Sequence, residues 1–131
     1  MQRCAPLAAI LAAATALAFC LPAAAQVQRQ FPRNALRGEM HFGNPPEVVV
    51  NGHAARLAPG SRIRGENNMV VLSGALAGNA AIVDYTVDAS GLVKDVWILT
   101  PAEMARQPWP KTVAEAQAWT FDFGSQTWSK P

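Results

Sequence analysis

Apolar and polar residues alternate with a period of two in two separate parts of the chain. In residues 36–42 the apolar Leu36, Met40 and Phe42 alternate with charged or polar neighbours, and residues 81–87 repeat the pattern. This period puts apolar side chains on one face of a strand, whereas an amphipathic helix needs a period of roughly 3.6 residues. The alternation therefore predicts a mainly β domain.

Turn and capping signals divide the chain into short elements. Asn51 and Gly52 are typical of a two-residue type I′ hairpin, and residues 88–91 suit a second hairpin turn. Residues 100–103 and 112–115 each carry a helix-capping pattern, which predicts two short C-terminal helices. We expect an antiparallel sheet that forms a roll or partial barrel covered by these helices, with an α+β arrangement as the alternative.

The first 25 residues have the pattern of an export signal. Arg3 is their only charge, residues 7–21 are apolar apart from Thr15, and three alanines end at Ala25. We expect residues 1–25 to be a signal peptide cleaved before Gln26, which predicts a periplasmic or secreted bacterial protein with no membrane anchor after cleavage. An uncleaved anchor is one alternative. Lipidation at Cys20 is another, although Phe19 occupies a position where lipoproteins carry a small residue.

Cleavage at this point would leave a chain without cysteine, because Cys4 and Cys20 both precede it. The mature chain would then have no disulfide and no thiolate zinc site, and core packing alone would hold it together. Residues 26–34 lack apolar periodicity and are expected to form a flexible arm. Residues 35–131 are expected to form a single small β-rich domain.

Two resemblances accompany these patterns. Residues 51–60, 62–64, 67–69 and 96–100 together resemble a group of small exported bacterial proteins of unassigned function, which implies export and a single domain. Residues 80–123 resemble the C-terminal domain of TonB-type energy transducers in their sequence of hairpin, helix and final strand. That resemblance implies binding of a partner segment by strand addition.

Arginine and tryptophan residues supply candidate binding positions. Arg56, Arg62 and Arg64 follow the Asn51-Gly52 turn, and could converge to bind a phosphate or carboxylate group bidentately. Trp97 is expected on the opposite strand face from its apolar neighbours, which makes it a candidate for a contact surface. The alternative is that the arginines occupy an ordinary solvated strand face.

Two pairs of residues could carry chemistry. His41 and His53 lie on neighbouring predicted strands, so they could belong to a metal site. If Val87 opposes Leu92 in the second hairpin, Asp84 faces Asp95, and such a pair could bind a cation or act as an acid–base pair. The alternative for both pairs is a set of solvated side chains on exposed strand faces.

The predicted function is a non-catalytic binding or assembly module with no cofactor. The serines lie in no nucleophile-elbow motif, and no glycine-rich phosphate loop opens a helix. The net charge of only +2 disfavours nucleic acid as a partner. We expect an unknown envelope protein or an anionic envelope component, contacted at residues 36–42 as an edge strand or at the arginines. The alternatives are a small metal- or carboxylate-dependent hydrolase and a TonB-like domain.

Overall fold

The computed structural model describes residues 28–131. The predicted signal peptide over residues 1–25 lies outside this range, so its cleavage stays a prediction.

Five strands form a closed barrel, which confirms the predicted mainly β fold. Its strand order is β1-β2-β3-β5-β4, and β4 pairs with β1 to complete the circle. All pairs are antiparallel except β3 with β5. This Greek-key order is the one found in the five-stranded OB barrel, a similarity of architecture that by itself implies no function. The strands are β1 (Leu36–Phe42), β2 (Glu47–Val50), β3 (His53–Arg64), β4 (Ala80–Val87) and β5 (Val93–Ile98).

Closure of the barrel removes the edge expected at residues 36–42. β1 pairs with β2 on one side and with β4 on the other, so its backbone hydrogen-bonding groups are used. The β4–β5 hairpin is likewise enclosed, by β1 and by β3. The prediction that β1 lies at an edge is therefore wrong. Period-two alternation reports which face of a strand is buried, and it carries no information on how many neighbours the strand has.

Alternate residues of the five strands fill the barrel. The Asn51-Gly52 turn that joins β2 to β3 has φ angles of 50° and 81°, which confirms the predicted type I′ geometry. The interior is formed by buried side chains that face one another across the barrel: Leu36, Met40, Phe42, Val48, Val50, Leu57, Ile63, Val83, Tyr85, Val93 and Val96.

A second apolar layer covers the outside of β1, β4 and β5. The two predicted helices are present as α1 (Pro101–Met104) and α2 (Val113–Ala118), and a hairpin of β6 (Thr120–Asp122) and β7 (Thr127–Ser129) follows them. Trp109 lies at the centre of the layer, with its ring centroid 5.8 Å from Phe121 and 6.0 Å from Trp128. Its indole N–H donates to the Ala35 carbonyl at 3.0 Å. The layer joins the C-terminal elements to the barrel wall.

Residues 28–34 belong to this second layer and do not form a loose arm. Phe31 is fully buried, and its backbone N–H donates to the Gln126 side chain at 2.8 Å. Arg29 is also buried, in an ion pair with Glu103. The expected flexible arm over residues 26–34 is therefore wrong for the part that the structure describes. The prediction relied on the absence of apolar periodicity in these residues. Two isolated anchors, Arg29 and Phe31, hold the segment in place without producing a periodic pattern.

The β4–β5 hairpin has a different register from the predicted one. Val87 pairs with Val93 instead of Leu92, and a bulge then shifts Tyr85 onto Val96. The bulge lets both Val93 and Val96 face the barrel interior while Lys94, between them, is exposed. In the predicted register, strict alternation through Leu92 and Val96 would have turned Lys94 inward. A charged side chain in the core is costly, and the irregular register avoids that cost.

Candidate functional site

A cleft of about 580 Å³ opens at the end of the barrel that faces α2. Its floor includes the interior side chains Val50, Val93 and Tyr85. Its rim comes from the β2–β3 turn, the β4–β5 turn and the residues that begin α2. Barrel mouths of this size are a common place for small-molecule sites, because the apolar floor is already formed and the loops supply polar groups.

Tyr85 contributes the polar group at the floor of this cleft. The residue is only 8% exposed, it lines the cleft, and its hydroxyl forms no hydrogen bond with another of residues 28–131. Burial raises the pKa of Tyr85 above its ordinary value, so the phenol stays a neutral donor. Among residues 28–131, the one buried side-chain polar atom that lacks a partner is the indole Nε1 of Trp128, so the Tyr85 hydroxyl is not an orphaned buried group. A phenol that lines an open cleft and donates to no other described residue is available to a ligand.

Ionisable side chains surround the mouth of the cleft. His53 stands at the start of β3, and Lys111 and Glu115 flank the first turn of α2. Thr112 caps that turn by accepting a hydrogen bond from the Glu115 N–H at 3.1 Å, which fixes the backbone between the two charged residues. The rim therefore carries a positive charge at Lys111 and a negative charge at Glu115, about one helical turn apart.

α2 also borders two further clefts. On one side lies a groove of about 460 Å³ with Leu36, Val87, Val113 and Ala116 in its walls and Arg33 at its rim. On the other lies a groove of about 490 Å³ that shares Lys111 and Glu115 with the barrel mouth. The ring faces of its tryptophans already carry cations, with Arg37 4.7 Å from the Trp109 centroid and Lys130 5.2 Å from that of Trp119. Of the three clefts, the barrel mouth is the one that Tyr85 lines.

The structure separates the three candidate arginines. Arg56 pairs with Glu47 of β2, whereas Arg62 pairs with Asp95 of β5, and a break in the β3 register lies between them. Arg64 follows opposite Trp97. Two of the three guanidinium groups therefore have an acidic residue directly across the ladder. The predicted convergence of all three arginines into one anion-binding site is therefore wrong.

Trp97 is a packing residue, so its prediction as a contact surface is wrong. Its side chain is 9% exposed, and its ring meets Phe31 edge-to-face at a centroid distance of 5.5 Å. The strand face was predicted correctly, since Trp97 points away from the barrel interior. The second layer, which covers that outer face, was not foreseen.

The two histidines do not come together. His41 pairs with Val49, and Val49 pairs with Ala54, so these three side chains lie on the outer face of the sheet. His53 is the residue before Ala54, so its side chain lies on the inner face. The imidazole of His41 instead lies 3.0 Å from the carboxylate of Glu39. Among residues 28–131 no group of three potential metal ligands is close enough to hold an ion. The expected His41–His53 proximity is therefore wrong.

Asp84 and Asp95 are not opposed either, because of the altered hairpin register. Asp84 faces Trp97 and forms a buried, two-pronged ion pair with Arg37, with Nε–Oδ1 at 2.9 Å. Asp95 contacts the Thr86 hydroxyl at 3.4 Å. Burial raises the pKa of Asp84 to about 6, against the lowering effect of the Arg37 guanidinium. The carboxylate pair proposed as an acid–base or calcium site does not form.

The outer face of β2 and β3 is the surface that OB barrels use for oligonucleotides. Here a shallow groove runs over it, lined by Val49, Ala54, Glu47 and Arg56 among others. Nucleic-acid sites of this type rely on aromatic side chains that stack on bases. The residues lining this groove include no aromatic side chain.

Sequence reasoning missed the residues that build the barrel mouth. Tyr85 was assigned to the apolar strand face, Glu115 was placed in a helix-capping pattern, and Lys111 was given no role. One signal was present: Tyr85 is the only tyrosine in the chain, and it shares its strand face with Val83 and Val87. A lone phenol on a barrel-facing position raises the question of where its hydroxyl finds a partner.

No model of a known protein family matches the chain. Comparisons with curated proteins and with solved structures likewise give no significant match. Within residues 28–131 no helix has the length and apolar character needed to cross a bilayer. What the domain does has therefore to be inferred from its own side chains.

Proposed function

We propose that this protein is a non-catalytic binding module that takes a small polar ligand in the barrel mouth beside α2. The observation that carries the proposal is Tyr85, an interior side chain that lines the cleft and whose hydroxyl forms no hydrogen bond with another of residues 28–131. A ligand with a carbonyl, carboxylate or hydroxyl oxygen would accept its hydrogen bond. His53, Lys111 and Glu115 would contact the outer part of the ligand and select among candidates.

The arrangement around Tyr85 favours binding over chemistry. The rim residues come from three separate connections and are open to solvent, so they lack the dry, preorganised setting that acid–base catalysis uses. The two pairs that could have supported a hydrolase, His41 with His53 and Asp84 with Asp95, are not formed. The hydrolase remains an alternative without a supporting constellation.

The proposed place of action is the periplasm or the exterior of a bacterial cell. This part of the proposal rests on the sequence of residues 1–25, with its single charge, apolar stretch and terminal alanines. An envelope location would expose the barrel mouth to small solutes, peptides and cell-wall fragments. It would also place the module beside other envelope proteins.

Ligand titration followed by backbone NMR tests the proposal. A panel of small carboxylates, amino acids and monosaccharides is added to labelled protein, and binding is expected to shift the amides of His53, Gly91 and Glu115 together. Tyr85→Phe should then weaken binding by roughly 3- to 10-fold, the value of one hydrogen bond. Arg56→Gln, on the outer β2–β3 face, is the matched control and should leave the affinity unchanged.

The same experiment can contradict the proposal in two ways. Shifts confined to residues away from the barrel mouth would place the site elsewhere. An unchanged affinity in Tyr85→Phe would remove the observation on which the ligand site rests.

A further inference from the structure

The connection between β3 and β4 exposes large apolar side chains. Met69, Val70 and Leu72 are 66%, 65% and 77% exposed. Residues 67–83 contain no charged side chain at all. None of these three residues lines a cleft described above, so their apolar surface is not the wall of a groove. We call residues 69–72 the apolar tip.

Hydrogen bonds hold the apolar tip in place. The Gly65 N–H donates to the Met69 carbonyl at 2.9 Å, and the Val71 N–H donates to the Ile63 carbonyl at 2.8 Å. Asn68 adopts a φ of 64° in the turn between them. The exposed side chains are therefore a fixed feature of the fold, and the tip cannot hide them by folding back without breaking this hairpin.

Arginine side chains lie at the base of the apolar tip. Arg64 pairs directly with Val70, and the side chains of such a pair leave the hairpin on the same face. Arg62, two residues earlier on β3, points to that face as well. The neighbouring acids are Glu66 in the turn and Asp95 across the ladder from Arg62. The tip thus combines an uncharged apolar end with a shoulder that presents two arginines on one face, with two acids nearby.

The chain enters the domain beside the same hairpin. The Arg29 guanidinium donates to the Gly65 carbonyl at 2.8 Å and to the Ile98 carbonyl at 2.7 Å. Residues 7–21, which are apolar apart from Thr15, precede this point in the sequence. The described chain therefore begins beside the hairpin that carries the apolar tip.

We propose that the apolar tip docks on the surface of a phospholipid bilayer with anionic headgroups. Met69, Val70 and Leu72 enter the interface, and Arg62 and Arg64 pair with headgroup phosphates. An apolar end with basic residues behind it matches the two contributions to interfacial binding, which are buried apolar area and attraction to anionic lipid. The docking is independent of the ligand site at the barrel mouth.

Vesicle binding tests this docking with a matched pair of variants. The protein is purified in the form that cells produce, and mass spectrometry identifies its first residue. It is then sedimented with vesicles of phosphatidylethanolamine and phosphatidylglycerol. Val70→Ser with Leu72→Ser should lower the partition coefficient by about tenfold or more. Val113→Ser with Phe123→Ser removes exposed apolar area elsewhere and should change it less than about twofold. Circular dichroism melts establish that both variants fold.

A charge test and a local readout complete the design. Arg62→Gln with Arg64→Gln should weaken binding to phosphatidylglycerol-containing vesicles and leave any binding to phosphatidylcholine vesicles unchanged. Hydrogen–deuterium exchange in peptides covering residues 66–76 should slow when vesicles are added, a result that does not depend on whether residues 1–25 are still attached.

Three results would overturn the docking. The first is equal sedimentation of the wild type and the Val70→Ser/Leu72→Ser variant. The second is unchanged exchange in residues 66–76 on adding vesicles. The third is a dimer in analytical ultracentrifugation that the same two substitutions abolish without any vesicle binding, which would assign the apolar tip to a second copy of the chain.

Discussion

Arg29 and Glu103 form a buried ion pair that joins the beginning of the described chain to α1. Arg29 Nε lies 2.9 Å from Glu103 Oε2, and the remaining guanidinium donors reach the carbonyls of Gly65 and Ile98. Burial alone would raise the pKa of Glu103, but hydrogen bonds from Arg29 and from the Thr100 backbone outweigh it and hold that pKa below its ordinary value. The residues before β1 are thus part of the folded domain.

Removing the cation of this pair should destabilise the domain strongly. Arg29→Met leaves Glu103 buried without its partner, and we expect a loss of about 3–5 kcal/mol at pH 7 in urea denaturation. The carboxyl of Glu103, with its lowered pKa, contributes stability above its ordinary pKa and loses it as the pH falls through the folded value. The difference between variant and wild type should therefore shrink in acid. Exposed Arg33→Met is the control, and an equal loss there would contradict the expectation.

The contribution of the Asp84 carboxyl should depend on pH in the opposite sense to that of Glu103, although in both pairs the cost of removing the arginine should shrink in acid. Because burial raises the pKa of Asp84 to about 6, the folded chain keeps a proton that the unfolded chain has lost between about pH 4 and 6. The contribution of Asp84 to stability therefore falls as the pH rises through that window. Arg37→Met should cost about 3–5 kcal/mol at pH 7 and less at pH 5, where Asp84 is protonated.

A double variant separates charge from packing at this pair. Arg37→Met with Asp84→Leu leaves no buried charge, so urea denaturation should show recovery of much of the stability lost in Arg37→Met alone. A double variant as unstable as the single one would mean that the shape of the Arg37 side chain against Trp109 matters more than its charge.

Tyr85→Phe should leave the stability of the free protein unchanged. The hydroxyl has no partner within residues 28–131, so its removal breaks no described hydrogen bond, and we expect a change below about 0.5 kcal/mol in thermal denaturation. Since Tyr85 is the only tyrosine, ultraviolet titration of the phenol reports it alone. Its ionisation should occur above pH 10 while the protein is folded, and stability should fall as the pH rises past 10. A destabilised Tyr85→Phe would reveal a hydrogen bond within the protein.

The strand faces could be predicted from the sequence, and the pairing of the strands could not. Alternation correctly placed Met40 and Phe42 inside and Trp97 outside, because it depends only on the local pleat. Closure of the barrel depends on contacts between β1 and β4, which are far apart in the chain. The two-residue shift in the β4–β5 hairpin arises from a longer turn and a bulge that keeps Lys94 out of the core, and neither has a short sequence signature.

The candidate site was missed for a related reason. Tyr85, Lys111 and His53 belong to three different elements that meet only once the barrel has closed and α2 lies beside its mouth. Conversely, a regular hairpin register predicts that Asp84 faces Asp95, and the bulge separates these two residues. Sequence reasoning identified the two helix caps correctly, since a capping box depends on residues three apart.

The aromatic layer should contribute a large part of the folding free energy. Phe31 is fully buried between Trp97 and Trp109, with centroid distances of 5.5 Å and 6.0 Å. Phe31→Ala should cost about 3–5 kcal/mol, the range for a deleted core aromatic. Phe123→Ala, whose side chain is 53% exposed, should cost less than about 1 kcal/mol in the same denaturation assay. Comparable losses in the two variants would mean that residues 28–34 are not docked in solution.

Cleavage of the signal peptide before Gln26 should leave the domain intact. A cleavage site nearer the C terminus than Arg29 would remove residues on which the fold depends. Arg29 and Phe31 are buried, so cleavage after Ala25 keeps both anchors, whereas removal of residues up to 31 would delete them. Mass spectrometry of the protein from the cell envelope should therefore give a chain that begins at Gln26. Ala23→Leu with Ala25→Leu removes the small side chains that signal peptidase requires and should cause the precursor to accumulate. A mass that includes residues 1–25 in the unaltered protein would indicate an uncleaved anchor, and a diacylglycerol adduct on Cys20 would indicate a lipoprotein.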